Sequence, residues 1–416
     1  MGSVEAEKKK IRFHYAWVIL FACCALSGGT LGTVINCRGL YIAPVCADMG
    51  YSVSQFTLHT TFYGLGAAAA MMVLVDRLFD HYPMKPILSV ALIAFLGATA
   101  SMGLFHHLAA WYIAGAIQGI SGAFLLFVPV PMIINHWFVE HKGLALGISS
   151  MTAGVIGAVM NPLLQAVISR WGWRAAYGVQ GLVGFVMAFP CVAFLIYKTP
   201  EECGLQAYGA ESGTQHHHKK PVPPLYDESR RNKFWCCIAF TAISSFCAAY
   251  AQHLANFASS IQLAGSMGAA MVSASMVGNI LAKSLLGEGS DLWGNQVVCA
   301  ISLGLPLGGF LILALGGSGT TCLLVGAFLV GVCHANLTIM APLLTAAAVR
   351  PEDYDHAISK TTTFNMLTSA FSTMLIGLFY EITGSYVSVF LLGGLLQIVS
   401  MAIVMHLYST KTVRKR

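Results

Sequence analysis

The chain is 416 residues long, 56% hydrophobic and only 10% charged, well under half the charged fraction of an ordinary soluble domain. So much apolar surface excludes a water-soluble globular fold and calls for a bilayer. The formal net charge of +6 is no nucleic-acid footprint until its lysines and arginines are placed along the chain.

A bilayer core requires about 20 consecutive apolar residues per helical span. In chain order such runs fall at 15–45, 53–75, 86–104, 109–134, 143–168, 174–197, 233–260, 266–286, 297–316, 320–347, 357–380 and 386–408. They are continuously apolar rather than alternating, so they predict helices and not barrel strands. The first run follows "EKKKIRFHY" and is too long for the apolar region of a cleavable signal peptide. It predicts an uncleaved span after a polar tail at 1–14. Residues 198–232, rich in Pro, Gly and charge, predict a linker between a bundle at 15–197 and a second at 233–408, with a short tail at 409–416. The expected fold is an all-α integral membrane protein, twelve transmembrane helices in two six-helix pseudo-symmetric bundles.

The basic residues orient these spans. Of the 23 Lys and Arg, all but five fall in the two tails, in the linker with the adjoining Lys233, and in the loops on the same side: Arg77, Lys85, Lys142 and Arg350. Arg170 and Arg174 lie on the other side, and Arg38, Lys283 and Lys360 lie within spans. The positive-inside rule then predicts both termini in the cytoplasm of a multi-pass cell-membrane protein. Membrane topology accounts for the net charge, and no nucleic-acid partner is expected.

Every acidic residue falls in a tail, loop or span end, while two cations lie deep. Lys283 is about 12 Å from the loop at Asp291, and Arg38 about 15 Å from the opposite end at Asp48, at 1.5 Å rise per residue. A charge at mid-bilayer costs roughly 2.5–3.5 kcal/mol even on the lenient insertion scale. Each therefore faces a water-filled cavity or an anion. No carboxylate is at hand, which points to an anionic ligand. The plainer alternative is that Lys283 snorkels to headgroups and Arg38 bonds backbone carbonyls at a helix bend.

Other polar residues within the spans are candidate cavity lining: Asn36, His59, Gln118, Asn161, Gln165, Tyr250, Gln252, His253, Asn256, Asn279, His334, Asn336 and Asn365. Any one alone can equally serve as an interhelical hydrogen bond. His253 and His334 stand out as proton carriers, because histidine titrates near neutral pH. Glycines in "GLGAAAA" (64–70), "GAIQG" (115–119) and "GVIGA" (154–158) mark close helix approach. The 12 cysteines are scattered without metal-ligand spacing and read as small apolar fillers. His216, His217 and His218 in the linker could hold a metal, but in a solvated linker they call for no role. No metal, cofactor or enzymatic acid–base constellation is expected.

Twelve spans in two halves with a polar linker resemble the major facilitator superfamily. The turn "VDRLFDHYPMK" (75–85) resembles that superfamily's loop after span two, and "GEGSDLWG" (287–294) its counterpart after span eight. The resemblance implies that Asp76, Arg77 and Asp291 latch the halves on the inner side. The first turn departs from the pattern, with Met72 where a glycine is expected. "WFVEHKGLALGI" (137–148), "GWRAAY" (172–177) and "TPEECGLQAYG" (199–209) resemble the monocarboxylate and oxalate/formate porter branch. In that branch a basic residue in span eight meets the substrate carboxylate, and Lys283 falls there. Asn279 stands where proton-linked members carry an aspartate, and "NMLTSAF" (365–371) lacks the lysine of the oxalate-exchange type.

The expected function is a secondary active transporter that moves a small organic anion, a mono- or dicarboxylate, by alternating access. A co-transported proton or a counter-anion would accompany it, and the chain would act as a monomer. The expected substrate site is Lys283, Arg38, Asn279, His253, His334, Asn36 and Tyr250, with spans one, four, seven, eight and ten around the cavity. Rival readings are a drug or small-solute efflux permease and a non-transporting membrane sensor on the same fold.

Overall fold

The computed structural model describes residues 14–127, 129–209, 228–293, 295–315, 319–349 and 354–409. The linker histidines 216–218 lie outside them. Eleven helical stretches are long and apolar enough to cross a membrane. They are Ala16–Met49, Val53–Phe79, Met84–Leu104, Leu108–Trp137, Leu144–Leu195, Asn232–Ser260, Gly265–Lys283, Gln296–Leu315, Thr320–Thr345, Lys360–Thr383 and Tyr386–Leu407. The fifth has 52 residues, about 78 Å of helix at 1.5 Å per residue, more than twice a bilayer core of about 30 Å. It breaks at Gly172, where φ 81° and ψ 166° turn the chain back. Only glycine takes that conformation without strain. The stretch therefore holds spans five and six, and the total is twelve.

Several spans are not regular α-helix. Span one passes from α-helix (Ala16–Ser27) through a π-turn (Gly28–Gly32) into a 3₁₀ segment (Ile35–Tyr41). Span seven carries a 3₁₀ segment at Ala249–His253. Span four has a π-segment at Ala123–Phe127, and span ten has one at Asn336–Met340. Spans one and seven, and four and ten, are six apart in chain order. The same irregularity thus recurs at corresponding places in the two halves. Irregular backbone at membrane depth is tolerated where it is covered by protein or lines a water-filled cavity.

Glycine contacts repeat the symmetry. Spans two and four touch where Gly115 and Gly119 abut the carbonyls of His59 and Tyr63. Spans eight and ten touch where Gly278 abuts the carbonyl of Phe328 and Gly331 that of Ser275. A side chain at any of these four would meet backbone, which cannot give way as a flexible side chain can. Gly331→Val is expected to lower stability in detergent by about 1–3 kcal/mol, the usual range for overpacking. A lowered melting temperature against wild type checks it, and an unchanged one refutes it.

The halves meet towards the end of the bundle remote from the linker. There the Glu381 carboxylate accepts from the Ser54 backbone N–H at 2.6 Å and the Ser54 hydroxyl at 2.8 Å. This joins the last turn of span eleven to the first turn of span two. A carboxylate at a helix N-terminus is favoured by its free N–H groups and its dipole. Nearer mid-span, Ser273 Oγ donates to the Ala158 carbonyl at 2.9 Å. Gly64 abuts Ala370, and Gly39 abuts the Gln252 carbonyl.

The first part of the expected linker is ordered. Tyr208 donates its N–H to the Trp137 carbonyl at 2.8 Å and accepts from the Val139 N–H at 2.9 Å. Its ring packs edge-on against Trp17, and Lys198 Nζ donates to the Phe79 carbonyl at 3.2 Å. Residues 198–209 are thus a strap bound to the first half, not free chain. Cys23, Cys37, Cys191, Cys237, Cys247, Cys299 and Cys333 are free thiols buried between helices.

Candidate functional site

A cavity of about 270 Å³ lies between the halves, lined by residues of spans one, two, seven, ten and eleven. Arg38 is its cation. The 3₁₀ segment carries Arg38 and Asn36 to the cavity wall, and Gly39 beside it allows span one to press on span seven. Arg38 Nη2 donates to Gln118 Oε1 at 2.9 Å, and the guanidinium lies 4.2 Å from the centroid of the Tyr63 ring. This cation–π contact needs no counter-charge. Arg38 meets no carboxylate among the described residues. It has five donors, of which one has a hydrogen-bond partner among the described residues.

Span two supplies His59 and Tyr63, one helical turn apart. His59 Nδ1 lies 2.6 Å from the Phe56 carbonyl. A carbonyl only accepts, so Nδ1 carries the hydrogen and Nε2 is left as an acceptor. On the other wall Gln252 Nε2 donates to the Ile35 carbonyl at 3.3 Å, and Asn365, Ser369 and Thr373 follow along span eleven. Gln252 Oε1, Asn365 Oδ1 and His334 Nδ1 are buried with no hydrogen-bond partner among the described residues. Three orphaned polar atoms in one wall are costly, about 1–3 kcal/mol each. That cost falls if the side chains turn to a ligand.

Of the residues expected at the site, Arg38, Asn36 and His334 line the cavity. Asn36 also donates Nδ2 to the Ala153 carbonyl at 3.0 Å. Lys283 is not among the lining residues. It has no hydrogen-bond or ion-pair partner among the described residues. Asn279 is buried behind the wall with Oδ1 unpartnered.

Tyr250 and His253 stand elsewhere than expected, in the helix packing of the second half. Tyr250 donates its hydroxyl to the Val389 carbonyl at 3.0 Å and packs on Phe310. His253 Nε2 donates to the Thr373 carbonyl at 3.0 Å, and Nδ1 accepts from the Tyr386 hydroxyl at 3.3 Å. With both ring nitrogens used, His253 ties spans seven, eleven and twelve together. In the 3₁₀ segment of span seven, Gln252 lines the cavity and its neighbour His253 does not.

Spans two and eleven, from which only His59 and Asn365 were among the candidate lining residues, supply much of the lining. Spans four and eight do not reach the lining, although Gln118 of span four stands directly behind Arg38. Tyr63 has a sequence signal in hindsight: it follows His59 at helical spacing. For the expected latch, Arg77 is exposed at the linker end. The side chains of Asp76 and Asp291 lie outside the described residues.

The "GWRAAY" residues serve packing at the far end. Trp173 Nε1 donates to Asp48 at 3.1 Å, Arg174 pairs with Asp48 at 3.5 Å, and Tyr177 stacks on Tyr41 at 3.8 Å between centroids.

Comparison with known proteins agrees with this architecture. The chain is 23% identical over 187 residues to monocarboxylate transporter 3 of Gallus gallus, covering 43% of this chain and 33% of that protein. It is 23% identical over 222 residues to monocarboxylate transporter 4 of Rattus norvegicus, covering 52% and 44%. The chain thus spans less than half the length of these curated relatives. In fold it is similar to the nucleoside transporter NupG, with a TM-score of 0.72 at 11% identity over 95% of this chain and 99% of that one. The Major Facilitator Superfamily pattern matches residues 17–269 and 234–416, and with twelve spans in two pseudo-symmetric halves around a central cavity, the chain belongs to that superfamily.

Proposed function

We propose that the protein is a secondary transporter that carries a small organic anion, a carboxylate, by alternating access. The observation that carries this reading is Arg38: a guanidinium in a cavity wall, anchored by a neutral amide and an aromatic face, with no carboxylate on it among the described residues. An unpaired cation in low dielectric favours an incoming anion, which gains charge-assisted and potentially bidentate hydrogen bonds. The monocarboxylate relatives support the same class.

Size supports a small solute. About 270 Å³ lies near the lower end of the roughly 300–1,000 Å³ of small-molecule pockets. The cavity wall also contains no acid to hold a cationic drug. His59 and His334, both in the lining, are the groups on which a co-transported proton could ride. In their absence a counter-anion would balance the charge. The excess of Lys and Arg on the linker side supports cytoplasmic termini.

The test is uptake of radiolabelled acids into proteoliposomes carrying the full chain. Saturable uptake of at least one monocarboxylate, competed by other carboxylates and not by their amides, is the expected result. Uptake of neutral or cationic solutes with none of any acid would overturn the reading.

A further inference from the structure

The anchor of Arg38 has a fixed polarity that can be read without ambiguity. Arginine only donates, so the Gln118 atom facing it at 2.9 Å must be the amide oxygen. The Gln118 nitrogen then faces span three and donates to Thr99 Oγ1 at 2.8 Å. Thr99 in turn donates its hydroxyl hydrogen to the Phe95 carbonyl at 2.8 Å. Gln118 is 1% exposed and Thr99 fully buried, so water does not compete for these bonds. The relay runs from span one through span four to span three, and every member except Arg38 is neutral.

That neutrality has a consequence. A buried guanidinium is ordinarily held by a carboxylate, which fixes it and cancels its charge. Here it is fixed by an amide of the same shape, so its positive charge stays available to the cavity. Glutamate is nearly isosteric with glutamine and would sit within ion-pair distance of Arg38. We propose that Gln118, which does not line the cavity, sets the charge class of the solute. As glutamine it makes the cavity select an anion, and as glutamate it would make the cavity select an uncharged analogue. Thr99 is a positioning residue that keeps the Gln118 oxygen turned toward Arg38. The proposal rests on the anion reading above and names the residue that enforces it.

The experiment uses matched pairs of the same shape and different charge: acetate and acetamide, lactate and lactamide, butyrate and butyramide. Each is titrated against the purified full chain in detergent, with thermal stabilisation as the readout. Wild type is expected to bind at least one carboxylate tenfold or more tighter than its amide. In Gln118→Glu the affinity for that carboxylate is expected to fall at least a hundredfold, with the amide bound as well as or better than the acid. In Gln118→Met, which removes the anchor but adds no charge, the acid is expected to weaken about tenfold and yet still be preferred over the amide. Thr99→Val should resemble Gln118→Met, and Thr99→Ser should restore wild-type binding.

If wild type prefers a carboxylate but Gln118→Glu keeps it within threefold, the proposal is wrong and the anion reading stands. If Gln118→Glu and Gln118→Met lose the acid equally, Gln118 only positions Arg38, and charge selection is refuted. Should Gln118→Glu fail to fold, unweakened binding in Gln118→Met still refutes the proposal, because the anchor would then do nothing. If wild type binds none of the three acids, the anion reading falls and this inference falls with it.

Discussion

Arg38→Gln is expected to abolish carboxylate uptake, lowering apparent affinity at least a hundredfold. Removing one partner of a desolvated, hydrogen-bonded charge pair costs roughly 2–5 kcal/mol, and about 2.7 kcal/mol is a hundredfold. The loss should be large here because the protein offers the anion no second cation in the cavity lining. Arg38→Lys is the informative companion. Lysine keeps the charge, but its ammonium is a point donor on a flexible stem and cannot grip Gln118 and a carboxylate in one plane. An intermediate loss of roughly tenfold is expected, about the worth of one charge-assisted bond. Equal uptake by wild type and Arg38→Gln in proteoliposomes would show that Arg38 is only a packing cation held by Tyr63.

Gly39→Val is expected to abolish transport by a different route, leaving a folded protein in the wrong conformation. Gly39 sits in the 3₁₀ segment of span one, directly against the backbone carbonyl of Gln252 in the 3₁₀ segment of span seven. These two irregular segments are where the halves touch beside the cavity, together with the Gln252 bond to the Ile35 carbonyl. A valine there drives a branched side chain into backbone. Relief requires spans one and seven to separate. Alternating access needs both faces to close in turn, so a face that cannot close stops the cycle. Uptake should fall more than tenfold. A cysteine placed at Thr373, in the cavity lining, should become reactive to a membrane-impermeant thiol reagent from the side remote from the linker. Wild-type uptake in the variant, or no gain in labelling from that side, would refute this account of the closed face.

How far the sequence could be read follows from which physical signals are local. The twelve spans were legible because the bilayer imposes about 20 apolar residues on each, whatever the neighbours do. Their ends agree with the structure to within a few residues except where helix continues past the apolar run, as in Gly265–Trp293. The deep placement of Arg38 and the lack of a nearby acid were legible for the same reason. The close-packing glycines of span four at 115 and 119 were also marked, because small residues at four-residue spacing share one helix face.

Which polar side chains face the cavity was legible only in part: Arg38, Asn36 and His334 line it, while Lys283, Asn279, Tyr250 and His253 do not. Expectation placed Tyr250 and His253 at the site and left Gln252 among the general candidates. A regular α-helix turns 100° per residue, but span seven tightens to 3₁₀ at Ala249–His253. The tightening lies where Gly39 of span one abuts the Gln252 carbonyl. There Gln252 lines the cavity, and His253 bonds Tyr386 and Thr373. The same holds for Arg38. Its depth came from counting residues, but its orientation toward Gln118 and Tyr63 depends on the π-turn and 3₁₀ segment that unwind span one.

By itself, then, the sequence determined that this chain lies in a membrane, crosses it twelve times, and carries two cations without acids at depth. Those are properties of composition and span length. Only the tertiary structure decided that spans two and eleven supply much of the cavity lining, that Arg38 lines it while Lys283 does not, and that a neutral amide holds the arginine. Those depend on helix rotation and on contacts between residues far apart in the chain, which no local pattern encodes.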